Sequence, residues 1–315
     1  MISQFAPDVE QAARLWQARL VRALSQRENA VYEVALPDGA RAALRLHRMG
    51  YQSPEAIRSE LWWCQALAQA GLPVPRPIPM PDGALTAELP SGQSVSMVAW
   101  VDGTALGAAG VPLAAPVDDQ IARHRTLGAL LARVHIVSDG LSLPPWFTRH
   151  RWDGPGLVGE APTWGRFWEH PAATPDQAAV LRRARDWLVG VLSDYDRLGA
   201  DIGLIHSDAL RENVMVRGQD LTLIDFDDAG FGYRLYDLGS VLSQNLSEPA
   251  YPEIRTNLIE GYSALRPLRA DLVDAFTLAR TLASVGWTMP RVAPDDPVIA
   301  RHLARAVGFA GQVIG

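Results

Sequence analysis

His206–Ser207–Asp208–Ala209–Leu210–Arg211–Glu212–Asn213, followed by Leu223–Ile224–Asp225–Phe226–Asp227–Asp228, is the stretch whose reading decides the fold. Between them, Asn213–Val216 and Thr222–Asp225 read as short apolar strands around the turn-forming run Arg217–Leu221. A loop of this length between antiparallel strands is ordinary. Such a hairpin sets Asn213, at the start of one strand, opposite Asp225, at the end of the other. Paired strands lie about 4.8 Å apart, so the two oxygen-bearing side chains can share one hard cation. Asp208 enters from the loop just before. An accidental H-x-D-x(4)-N match beside a solvated acidic turn is the bland alternative; the hairpin and the D-F-D-D end argue against it.

The chain has 315 residues, 48% of them hydrophobic and 20% charged, enough for one large domain or two lobes with an ample core. A net charge of -6 argues against nucleic acid as the main partner and tolerates cationic substrates. No apolar run approaches membrane-spanning length, and Met1–Asp8 lacks a basic segment followed by an apolar one, so neither a membrane span nor a secretory signal is expected. The single Cys64 permits no disulfide within the chain and falls in an expected helix, where it reads as a small buried apolar residue. A reducing cytoplasm fits. The chain contains no lysine: all 29 basic residues counted as Lys plus Arg are arginine. Any phosphate contact normally made by lysine would fall to arginine, which is always charged and binds phosphate through a planar fork.

Ala30–Leu36 and Ala40–Leu46 read as strands joined by Pro37–Asp38–Gly39. In the second, Ala43 and Arg45 share one face and Leu44 and Leu46 the other. A helix follows, with Ser53 as its cap, Pro54 in its first turn and Gly71 at its end. Its apolar stripe is Ile57, Leu61, Cys64, Leu67 and Ala68, and Glu60 falls inside it. A glutamate on a buried face needs a cation, and Arg45 is the natural partner; the bland reading has Glu60 reaching water at the edge of the stripe. Pro73–Pro81 is a rigid connector, and Gln93–Val101 reads as a strand. Beyond it the chain turns helical, with long amphipathic segments over Ile121–His135, Gln177–Leu198 and Asp271–Trp287.

A strand-rich first half, a linker, and a helical half carrying an H-x-D loop resemble the aminoglycoside phosphotransferase and choline kinase superfamily. The Asp225–Asp228 end and the tail around Arg280 and Trp287 look most like its bacterial stress-response kinase and homoserine kinase branch. The resemblance implies an α+β, bilobal protein-kinase-like fold: a small strand-rich N-lobe over residues 1–102 and a larger helical C-lobe over 103–315. It implies ATP and Mg²⁺ as cofactors, with the nucleotide in the cleft between lobes. By resemblance Asp208 is the catalytic carboxylate, and Asn213 and Asp225 hold the metal. Arg45, with Glu60, takes the place of the kinase lysine–glutamate pair. Ser25 and Asn29 stand in the phosphate-loop region, Val98 and Trp100 on the adenine side. His206 is implied as an anchor of the loop, Asp237 as its support from a following helix, and Asp227 as either a helper of the metal or substrate, or a solvated bystander.

The pattern departs from the family's in three places. Ser25–Ala30 has no glycine where a phosphate loop is usual, Leu210 stands where protein kinases have lysine, and Ser207 replaces the usual glycine or arginine. Only twelve positions separate Asp225 from Asp237, too few for a peptide-docking segment, which favours a compact acceptor. The expected acceptor lid is Trp146–Trp168, with Trp152 and Trp164, together with Arg280, on the acceptor side. Its aromatics can hold a cation, or can simply pack a loop. The leading expectation is an ATP- and Mg²⁺-dependent phosphotransferase acting on a small-molecule hydroxyl. Protein Ser/Thr kinase of the stress-response type, and non-catalytic nucleotide-binding regulator, are the alternatives. The sequence leaves acceptor and oligomeric state open.

Overall fold

Alternating apolar residues and one well-capped helix build the first part of the chain. A computed structural model describes residues 6–26 and 29–315. Helix α1 (Pro7–Leu15) precedes strands β1 (Arg19–Gln26), β2 (Ala30–Ala35) and β3 (Arg41–Leu46), then α2 (Pro54–Gln69), β4 (Thr86–Glu88), β5 (Ser94–Ala99) and the two-residue β6 (Thr104–Ala105). There follow α3 (Val117–Asp139), β7 (His150–Trp152), α4 (Gly154–Val158), α5 (Pro175–Arg197), β8 (Ile202–Ile205), β9 (Val214–Arg217) and β10 (Asp220–Leu223). Strand β11 (Gly230–Tyr233) and helices α6 (Leu235–Ser243), α7 (Tyr251–Ser263), α8 (Val273–Thr288) and α9 (Pro297–Ile314) complete the chain. This is an α+β protein of the protein-kinase-like fold.

The chain divides into two compact units. The first comprises Met1–Thr104, Leu141–Arg149 and Met215–Asp227. Its five-stranded antiparallel sheet has the order β1-β2-β3-β5-β4. Leu44 and Leu46 bury one face of β3 with Val34, Val95, Met97 and Trp16, which leaves Arg45 on the opposite face. Ser53 caps α2 by accepting from the Ala56 N–H at 3.2 Å, Pro54 opens it, and Gly71 at φ 77° turns the chain out of it. Ile57, Leu61, Trp63, Cys64 and Leu67 are buried along α2, and Glu60 is buried among them.

The second unit comprises Ala105–Gly140, His150–Val214 and Asp228–Gly315. In its small sheet β11 runs parallel to β7 and antiparallel to β8. Helices α3 and α7 pack together, as do α6 and α8 and, beyond them, α8 and α9. Gly239 makes the α6–α8 approach possible: a Cβ there would lie 2.4 Å from the Phe276 carbonyl oxygen. That closeness brings Asp237 of α6 and Arg280 of α8 to the same loop.

The expected hairpin differs in register. Its strands are Val214–Arg217 and Asp220–Leu223, joined by a two-residue turn rather than a five-residue loop. Gly218, at φ 62°, supplies the left-handed conformation that so tight a turn needs. Asn213 therefore belongs to the 3-10 turn Arg211–Asn213 ahead of one strand, and Asp225 falls two residues beyond the other, at φ 64°.

Candidate active site

In the first unit the groups gather around Arg45. Its Nη1 donates to Glu60 Oε1 at 2.9 Å and its Nη2 to Asp225 Oδ1 at 3.1 Å. Burial works against the guanidinium's charge, but Glu60, Asp225 and Asp227 overcome it and hold the arginine above its usual range. Burial pushes Glu60 the other way, up to about 7, against the pull of Arg45. Glu60 does not reach water: its side chain is 4% exposed, and Oε2 is buried with no hydrogen-bond partner among the described residues. The Asp225 carboxylate is 45% exposed.

Asp227 is buried, not a solvated bystander. Its Oδ2 accepts from Asn29 Nδ2 at 3.2 Å, while Oδ1 has no hydrogen-bond partner among the described residues. Burial, reinforced by the charge of Asp225, raises its pKa. An orphaned carboxylate oxygen next to the exposed carboxylate of Asp225 is a hard-oxygen donor set of the kind Mg²⁺ takes, the rest of its shell coming from phosphates and water. Among the described residues no three His, Cys, Asp or Glu side chains gather into a metal cage.

Arg149 holds this turn and carries no signal in the sequence. It donates to the carbonyls of Ala56 at 2.9 Å, Phe226 at 3.0 Å and Asp227, and Gln52 adds a bond to the Asp227 carbonyl at 2.7 Å. Phe226 packs edge-on to Trp63, 5.3 Å between ring centres. These contacts fix Asp225 in the left-handed conformation, which is costly for a residue with a Cβ.

Of the other nucleotide-side candidates, Asn29 also accepts from the Arg48 N–H at 2.9 Å, so its amide ties β2's start to both Arg48 and Asp227. Ser25 lies in β1 opposite Val31. Arg27 and Glu28, in the middle of the expected phosphate loop, lie outside the described residues. Val98 pairs with Ala43 and bridges to Pro77. The Trp100 N–H donates to Arg41 O at 3.3 Å, and the Arg41 guanidinium covers its ring at 3.9 Å.

In the second unit the H-x-D loop follows β8. Asp237, fully buried on α6, accepts from the His206 N–H at 2.9 Å and the Ser207 N–H at 2.6 Å, and faces His135 Nε2 at 2.9 Å. Burial alone would raise this carboxyl; the His135 hydrogen bond and the nearby imidazoles and N–H groups hold it below its ordinary value. His135 in turn faces the Tyr262 hydroxyl at 2.8 Å. The Ser207 hydroxyl donates to Asp228 O at 2.7 Å and Ser240 donates to Ser207 O at 2.6 Å. Held this way, Ser207 takes φ 65°, the second strained non-glycine residue at a site position. His206 is buried, and its Nδ1 accepts from the Asp208 N–H at 3.3 Å. Arg211, one position before Glu212, is buried against Glu248 at 2.5 Å and Asn245 at 2.8 Å.

Both oxygens of Asp208 are engaged. Arg280 Nη2 donates to Oδ1 at 2.6 Å and Asn213 Nδ2 to Oδ2 at 2.9 Å, with a second 2.9 Å bond from the same nitrogen to the Asp208 carbonyl. The carboxylate is thus oriented but still 19% exposed. With its nitrogen committed, the Asn213 amide presents its oxygen as the remaining donor for a cation.

Trp152 and Trp164 do not stand free at the acceptor side as expected. Trp152 is fully buried, donates to Asp228 O at 2.8 Å, and stacks on Tyr236 with 5.6 Å between centres. With no accessible surface it cannot touch an acceptor. Trp164 packs edge-on against it at 4.8 Å and offers its face to the chain's own Arg280, 4.8 Å from the ring centre. Packing of an irregular segment accounts for these rings.

The strand-rich and helical units, the H-x-D loop and the paired Arg45–Glu60 define a protein of the kinase-like phosphotransferase class. Residues 19–272 match the phosphotransferase enzyme family, and the chain belongs to that family. Homoserine kinase of Rhizobium etli (strain CIAT 652) is 30% identical over 234 residues, covering 72% of this chain and 66% of that protein. The match therefore spans just under two thirds of that relative's length. A structure of a microcompartment-associated aminopropanol kinase superposes with a TM-score of 0.81 at 29% identity, over 96% of this chain and 94% of that one. Amicoumacin kinase in complex with AMP-PNP, Ca²⁺ and Ami shares the fold, with a TM-score of 0.75 at 19% identity over 97% of this chain and 93% of that one. No helix among the described residues is long and apolar enough to cross a membrane.

Proposed function

We propose that this chain transfers the γ-phosphoryl group of ATP to a hydroxyl of a small molecule, with Mg²⁺ as the metal. The observation that carries the reading is the Asp208 carboxylate, oriented by Arg280 and Asn213 on a strained loop that Asp237 holds from below. A fixed, partly exposed carboxylate can align an acceptor hydroxyl and take its proton. As the acceptor oxygen bonds to the γ-phosphorus, the bond from that phosphorus to the β,γ-bridging oxygen breaks. ADP leaves, and the hydroxyl proton passes to Asp208.

Arg45, anchored by Glu60, is assigned to the α- and β-phosphates. It does with a guanidinium what a lysine does in other kinases. Asn213 and Asp225 would hold Mg²⁺, with Asp227 beside them; the metal's contribution is to neutralise charge on the phosphates. Ser25, Asn29, Val98 and Trp100 are assigned to the nucleotide as well. A reaction that draws on ATP, in a chain with a single cysteine, fits the cytoplasm.

A small acceptor is favoured over a protein. The thirteen residues from Asp225 to Asp237 are taken up by the Asp225–Asp228 turn, β11 and the first turn of α6, with no segment over for peptide docking. The relatives named above act on homoserine, aminopropanol and amicoumacin, all small molecules. Screening a metabolite library for acceptor-stimulated ADP release tests the proposal. Strong stimulation by one class of small hydroxyl compound is expected. Phosphorylation of a protein at a defined Ser or Thr, with no response to any small compound, would overturn it.

A further inference from the structure

Helices α8 and α9 bring three arginines, Arg280, Arg301 and Arg305, close enough for their charges to act on one another. On α8, the Arg280 side chain is 4% exposed and has Asp208 as its carboxylate. On α9, Arg301 and Arg305 stand one turn apart on one face. Among the described residues neither has a carboxylate within salt-bridge distance; the only side-chain partner of Arg305 is His302 Nδ1, 3.3 Å from its Nη2. Like charges four residues apart on a helix cost stability. The nearby Arg211 is already satisfied by Glu248 and Asn245. Burial, then the charges of Arg280 and Arg301, pull Arg305 down to about 10, with Glu212 acting in the opposite direction. Burial and the same three arginines keep His302 down at about 3, so this imidazole adds no charge. The buried Nε atoms of Arg280 and Arg305 have no hydrogen-bond partners among the described residues.

Packing does not call for such an arrangement, since a leucine or glutamine would fill α9 without repulsion. Its charge also runs against a cationic acceptor. The face of Trp164, the ring beside Arg280, is already covered by that guanidinium. A guanidinium fork matches carboxylate and phosphate oxygens. We propose that Arg301 and Arg305, with Arg280, form an anion site for the acceptor: the phosphorylated compound carries a carboxylate or phosphate held by these arginines while its hydroxyl reaches Asp208. This rests on the phosphotransferase reading above and narrows its substrate class to hydroxy acids, hydroxy amino acids or hydroxyalkyl phosphates.

Matched acceptors test it. Homoserine and 3-aminopropan-1-ol differ only by the carboxylate, as do threonine and 1-aminopropan-2-ol; glycerol 3-phosphate and glycerol form the corresponding phosphate pair. The readout is the ratio of kcat/KM for the anionic member over its uncharged or aminated partner, measured by ADP release. A charged hydrogen bond is worth about ten- to a hundredfold, so one pair should show a ratio at least that large. Which pair shows it tells carboxylate from phosphate. In the double variant Arg301→Gln/Arg305→Gln that ratio should fall towards one, and Arg301→Lys/Arg305→Lys should retain most of it. A variant that merely folds poorly would lower both rates and leave the ratio intact, an outcome that counts against the site, as does the lack of any anionic preference in the wild type. Transfer to the amino alcohols alone would overturn the anion site and leave the kinase reading standing. The kinase reading itself falls only if no ATP turnover depends on Asp208.

Discussion

Replacing Arg45 by leucine should destabilise the protein strongly, and replacing Glu60 as well should restore the loss. Glu60 is 4% exposed, its Oε1 is bonded to Arg45, and its Oε2 has no hydrogen-bond partner among the described residues. Arg45→Leu therefore strands a buried carboxylate. Breaking one side of a buried ion pair costs about 3–5 kcal/mol. The charge of Arg149 still acts on Glu60, which sets the expectation at the lower end, about 3 kcal/mol at pH 8. Asp225 also loses Arg45, but at 45% exposure water replaces the arginine and adds little. The cost depends on pH with a definite sign. Burial raises the Glu60 pKa from 4.5 to about 7 even with Arg45 present, and removing the arginine raises it further. An acid whose folded pKa is raised takes up a proton on folding, so stability is lost as pH rises through the folded value. The deficit of Arg45→Leu should thus shrink between pH 8 and pH 6. Arg45→Leu/Glu60→Leu removes the charge altogether and should be about as stable as wild type, or more so, while still inactive. Guanidinium denaturation followed by circular dichroism at both pH values measures this. A single variant as stable as wild type at pH 8, or a double variant no more stable than the single, refutes the reasoning.

Asp225→Ala should abolish Mg²⁺-dependent ATP binding, and Asn213→Ala should weaken it; wild-type affinity in Asp225→Ala by calorimetry would contradict the metal assignment. In the wild type, kcat/KM for ATP should fall as pH drops through about 7, because protonated Glu60 no longer anchors Arg45. That acid limb should vanish in Glu60→Gln, and its persistence there would assign it to another group. Trp152→Ala should cost about 3–5 kcal/mol of stability as a core truncation; a variant with unchanged melting and only a changed acceptor KM would return Trp152 to the acceptor side.

Local chemistry in the sequence reaches far into this fold. The alternation of β3 puts Arg45 opposite Leu44 and Leu46, and the α2 stripe encloses Glu60, so their contact is readable before any coordinates. The hairpin register is not. Gly218 shortens the turn, and the strands end before Asp225, whose left-handed backbone depends on Arg149, 76 positions upstream. His135 is equally hidden, since a histidine in an amphipathic helix gives no sign that it will meet Asp237. The tryptophans mislead for a related reason: composition locates them in an irregular segment but does not say which faces are covered. The sequence suggests Arg280 for the acceptor side, yet its bond to Asp208 arises from the α6–α8 approach at Gly239, which no single-sequence pattern encodes.

The central claim is that Asp208 positions the acceptor hydroxyl and takes its proton. Comparing Asp208→Asn with wild type, in acceptor-dependent turnover and in Mg·ATP binding, tests it most directly. A positioned base contributes about 10²–10⁴-fold, so turnover should fall by that factor with nucleotide affinity retained. An Asp208→Asn enzyme within about threefold of the wild-type rate would contradict the account, given that range.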